Sequence, residues 1–71
     1  MNVGSINGKY GTYPLLLING DVYYRDSSGR TVSTGFSKAS SASGYTAPDG
    51  SYVEPARLSA EVQWRYNAGR C

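Results

Sequence analysis

The chain contains no histidine, one cysteine (Cys71) and no aliphatic run longer than Leu15 to Ile18. Each absence removes a class of chemistry. Without histidine there is no Ser-His or Cys-His nucleophile pair, no imidazole base and no plausible zinc cluster. A lone cysteine cannot close an internal disulfide, and a terminal one reads as a dispensable tail residue, with a reactive thiol or an intermolecular disulfide as alternatives. Four aliphatic residues fall far short of the roughly 18 that a membrane span needs. The N-terminal stretch also lacks the basic and apolar regions of a signal peptide, so a soluble, cytoplasmic protein is expected. Charge is scarce too: seven Lys and Arg against five Asp and Glu leave +2, scattered along the chain, which is too weak to argue for nucleic acid by itself.

The remaining residues offer little to an enzyme. Asp21, Asp26, Asp49 and Glu54 fall in or beside turns and strand ends, where acidic residues are ordinary structure formers, and Glu61 stands on a polar face. Gly4 to Tyr10 falls short of a phosphate-binding loop. It has three residues between its glycines where four are required, and Tyr10 stands where a Ser or Thr would hold magnesium. No catalytic residue, cofactor or metal ligand is therefore expected.

Seventy-one residues make a single small domain over 1–71, near the size at which one core is barely sufficient. Such chains usually rely on disulfides, a metal or a partner chain. With the first two removed, a protein partner or a homo-oligomer is the expected source of extra stability.

Strand signals dominate what is present. Met1 to Thr12 is rich in Gly and Asn and carries a turn-forming Asn7-Gly8 pair, and Val3, Ile6, Tyr10 and Tyr13 supply a short, weak edge strand. Leu15 to Ile18, Asn19-Gly20 and Asp21 to Arg25 read as a hairpin with a type I′ turn, pairing Leu17 with Val22 and Leu15 with Tyr24. A three-residue loop ending in a left-handed Gly29 then keeps Val22 and Tyr24 on the face of Val32, Thr34 and Phe36. Ser37 to Gly50 is mostly Ser, Ala and Gly and is expected to be a flexible loop at 37–50 that ends in a Pro48-Asp49-Gly50 turn. Tyr52 to Glu54 is a short strand stopped by Pro55.

From Arg57 to Ala68, apolar or amphipathic residues alternate with polar ones without a miss, the period of a half-buried strand. That reading directs Trp64 inward and Arg65 outward. The expected fold is all-β, a small antiparallel meander of four to five strands or a partly open barrel. The alternative is α+β with a C-terminal helix over residues 55–68, favoured by Pro55 at its start, Gly69 at its end and good helix formers between.

Aromatic content bears most on function. Seven tyrosines, Trp64 and Phe36 exceed what so small a core can bury, and Tyr among Ser, Gly and Asn is the makeup of binding surfaces. In the meander, Leu16, Ile18, Tyr23 and Arg25 fall on the face opposite the core and form a candidate partner-binding surface, with an open sheet edge as a second route to association. The expected function is thus non-enzymatic binding of another protein, or self-assembly, as an inhibitor, adaptor or assembly subunit. The alternative is a single-stranded nucleic-acid-binding barrel in which Tyr23 stacks on bases while Arg25, Arg30, Lys38 and Arg65 follow the phosphates.

Overall fold

A computed structural model describes residues 1–70 as six antiparallel strands in one sheet, followed by a single helix. The strands are β1 (Asn2–Gly8), β2 (Gly11–Ile18), β3 (Asp21–Arg25), β4 (Thr31–Lys38), β5 (Tyr45–Thr46) and β6 (Tyr52–Val53), and they lie in the sheet in chain order. A 3₁₀ turn at Pro55–Arg57 leads into α1 (Leu58–Asn67). Cys71 and its expected role lie outside the described residues.

Turn chemistry sets the meander. Asn19 and Gly20 take φ of 51° and 86°, as a type I′ turn requires, and fix the pairs Leu17↔Val22 and Leu15↔Tyr24 that the sequence pattern predicts. Between β3 and β4 the Asp26 amide donates to the Arg30 carbonyl and the Gly29 amide to the Asp26 carbonyl, both at 3.0 Å, which makes Ser27, Ser28 and Gly29 a three-residue loop. Tyr24 consequently faces Val32. The β5–β6 hairpin repeats this construction: Ala47 donates to Ser51 and Gly50 to Ala47. Gly29 and Gly50 occupy equivalent left-handed positions, with φ of 86° and 91°, that an L side chain would strain.

Three expectations are corrected. Asn7-Gly8 is not a turn: both residues belong to β1, and the reversal is made by Lys9 and Tyr10 between the paired Gly8 and Gly11. Gly8 is needed for a different reason, since a Cβ there would land on the Tyr13 ring. Ser37 to Gly50 is not one long loop, because residues 37–38 extend β4 and residues 45–46 form β5. Tyr45 and Ala47 enter the core, which brings the strand count to six.

The third correction concerns Arg57 to Ala68, which is helical instead of a long strand. Its period-two alternation is the overtone of a period of four. Leu58, Val62 and Tyr66 form one helical stripe that packs on the sheet, with Leu58 and Val62 fully buried. Ala60, Trp64 and Ala68 form the opposite stripe and are exposed. An extended chain would have aligned both stripes on one side, but it would have left bare the sheet face that carries Ile6, Tyr13, Leu15, Val22 and Phe36. Covering that face wins, because each large apolar side chain that is buried contributes about 1.5–3 kcal/mol. The helix stops at Gly69 (φ 74°), where Gly69 donates to the Tyr66 carbonyl and Arg70 to the Arg65 carbonyl in a Schellman arrangement.

Candidate functional site: the outer sheet face

Alternation along β2 and β3 sorts their side chains between two environments. Leu15, Val22 and Tyr24 point toward the helix and are buried, while Pro14, Leu16 and Ile18 of β2 and Asp21, Tyr23 and Arg25 of β3 point the other way. The register sets Leu16 beside Tyr23 and Ile18 beside Asp21. Leu16 and Tyr23 are half-buried by their sheet neighbours, Ile18 is 39% exposed and Arg25 is exposed, its Nη2 donating to the Thr31 Oγ1 at 3.4 Å. The four residues singled out for partner binding therefore share one face, and the helix covers the opposite one.

The residues considered for nucleic-acid contact are dispersed. Arg30 sits in the β3–β4 turn, and Lys38, at the end of β4, donates to the Ser43 carbonyl at 3.3 Å with its Nζ 5.6 Å from the Tyr45 ring centre. Arg65 is directed inward, contrary to the strand reading. Its side chain is only 11% exposed, its guanidinium reaches Glu61 at 3.4 Å and Asp49 at 3.8 Å, and it lies 5.1 Å from the ring centres of Phe36 and Trp64. Trp64 is correspondingly 55% exposed. Arg65 ties the helix to the β5–β6 turn and has little surface left for a phosphate.

Both sheet edges are restricted. Along the free edge of β1 the amides of Ser5, Asn7 and Lys9 point outward, and they donate to Ser59 Oγ, Gln63 Oε1 and Tyr66 OH of α1. Gln63 Nε2 also donates to the Asn7 carbonyl at 3.0 Å, so its amide group pairs with β1 as a neighbouring strand would. This edge is closed to an incoming strand, and the open edge expected of a long C-terminal strand does not form, because that segment is helical. The opposite edge, β6, is two residues long. Helical spacing brings Ser59, Gln63 and Tyr66 to one side of α1, but their pairing with β1 depends on where the helix docks.

An open cleft of about 210 Å³ lies between β6 and the start of the helix, lined by Ser51, Tyr52, Val53, Glu54, Arg57 and Glu61. It is smaller than the roughly 300–1,000 Å³ of small-molecule sites, and Arg57 and Glu61 pair with each other across 3.7 Å. Asp26 and Asp49 have carboxyls held below the usual Asp range. For Asp26 the leading cause is the Ser28 hydroxyl, and for Asp49 it is the Ser51 amide followed by the Ser51 hydroxyl. Each serves its own turn. Among the described residues no three His, Cys, Asp or Glu side chains are grouped to hold a metal, and no helix is long and apolar enough to cross a membrane. Comparison with protein-family models, curated proteins and solved structures finds no match for this chain.

Proposed function

We propose that this protein works by binding another protein chain through the outer face of its sheet, and that it carries no catalytic function. The observation behind this reading is the side-by-side placement of Leu16, Ile18 and Tyr23 with Arg25, on the face that the helix leaves uncovered. Apolar and aromatic side chains beside an Arg are the composition of interface centres. A rigid four-stranded hairpin array presents them with little ordering cost. Nucleic-acid binding is the weaker alternative, because Lys38 is engaged by the Ser43 carbonyl and Arg65 by Glu61 and Asp49, away from Tyr23 and Arg25.

Cross-linking in cells that produce the protein tests the reading. The wild-type chain should cross-link to a protein, a second copy included, and Tyr23→Ala or Ile18→Ser should remove that product without changing the circular dichroism spectrum. Cross-links that are insensitive to both substitutions, or oligonucleotide binding that weakens steeply with salt, would overturn it.

A further inference from the structure

Along the outer row of β3, Asp21, Tyr23 and Arg25 stand at alternate positions: an acid, an aromatic ring and a base. The two charges are about 13 Å apart along the extended strand, too far to pair within it. Among the described residues the ion pairs join Arg57, Arg65, Asp49 and Glu61, and neither Asp21 nor Arg25 takes part. The pattern is its own complement: turned end for end, it places base over acid and acid over base around the tyrosine. The rest of the face shares this property. Leu16 lies level with Tyr23, and Pro14 and Ile18 flank it along β2.

We propose that two copies of this chain pack outer face to outer face about a two-fold axis that runs across the strands at the level of Leu16 and Tyr23. β3 then lies antiparallel over β3 of the other copy. Leu16 meets Leu16, Ile18 meets Pro14 and the Tyr23 rings lie side by side at the centre. Arg25 of each copy pairs with Asp21 of the other, giving two equivalent ion pairs, as an isologous interface demands. Packed sheets stand about 10 Å apart, a gap that an extended arginine and a carboxylate can bridge. The four long strands at about 4.8 Å spacing and up to eight residues in length offer roughly 500 Å² in projection, more with side-chain relief. That approaches the ~800 Å² per partner of a specific interface.

Two of the other exposed rings, Tyr10 and Trp64, already have cations beside them. Lys9 already stands 5.5 Å from the centre of the Tyr10 ring, and Arg65 and Arg70 lie within 5.4 Å of Trp64.

This dimer rests on the binding role assigned to the outer face, and charge reversal separates the two ideas. Asp21→Arg and Arg25→Asp are each made in the full chain, confirmed folded by circular dichroism and examined by sedimentation at about 10–100 μM, where micromolar association is visible. Wild type is expected to be dimeric. Each variant alone confronts like charges at both pairs, and its dissociation constant should rise at least tenfold. An equimolar mixture of the two should dimerise again, because the two bases on β3 of one variant then meet the two acids on β3 of the other. A monomeric wild type, variants that dimerise unchanged or a mixture that stays monomeric would each overturn the dimer. If wild type is monomeric yet Tyr23-dependent cross-links to a different protein persist, the outer face remains a binding surface and only its occupant was misassigned.

Discussion

Gln63 carries an unusual share of the structure for one side chain. Its amide donates to the Asn7 carbonyl and to Asn67 Oδ1 and accepts from the Asn7 amide, joining helix to sheet edge. Replacing it with alanine removes two bonds to β1, each with a net value of about 0.5–1.5 kcal/mol, while water can re-satisfy the half-exposed edge. Gln63→Ala is therefore expected to lower stability by about 1–3 kcal/mol in urea denaturation, and hydrogen exchange should become faster at Asn7 before it does at the buried strands.

Asp26 and Asp49 set the response to acid at the same scale. Their carboxyls are held below the ordinary value of 3.8 in the folded chain, first by the Ser28 hydroxyl and the Ser51 amide respectively. A folded pKa below the unfolded one stabilises the charged form. That contribution is complete above the unfolded pKa and is lost as pH falls through the folded one. The melting temperature should hold through mildly acidic pH and decline below about pH 4. Asp26→Asn and Asp49→Asn should each flatten that decline.

Among the elements, the helix explains both what can be read from the residues and what cannot. The Asn19-Gly20 hairpin and the Gly29 bulge are legible because a two- or three-residue loop imposes its own φ angles and hence a register. Arg57 to Ala68 misleads because residues i, i+4 and i+8 satisfy a period of two as well as a helical turn. A discriminating signal is present in the polar residues: Arg57, Glu61 and Arg65 alternate in sign at i,i+4, a spacing that only a helix brings together. The pairing of Ser59, Gln63 and Tyr66 with alternate amides of β1 is not legible, since it depends on where the helix docks. Alanine substitution separates the two conformations. Leu58→Ala should cost about 2–5 kcal/mol because Leu58 is fully buried, whereas Trp64→Ala should stay within about 0.5 kcal/mol, although a strand would bury both. Thermal unfolding of the two variants gives the comparison.

For the molecule as a whole, one sheet and one helix make two layers, and the hydrophobic core lies between them. A chain of this length commands about 4–11 kcal/mol of net stability. Leu58 and Val62 are both fully buried, and Tyr66 closes over Tyr13 and Tyr24 with ring centres 6.1 Å and 5.6 Å away. These three side chains are the helix's only apolar contribution to the core cluster among the described residues, yet no strand offers a substitute cover for Ile6, Leu15 and Val22. Losing the burial of Leu58 and Val62 alone forfeits about 3–6 kcal/mol, and losing the helix also strips the β1 edge. The meander should therefore not survive alone, despite its favourable turns. A chain ended at Glu54 is expected to show collapsed amide dispersion in its proton–nitrogen spectrum and no cooperative melt. A dispersed spectrum from that fragment would mean that the six strands hold themselves together without the second layer.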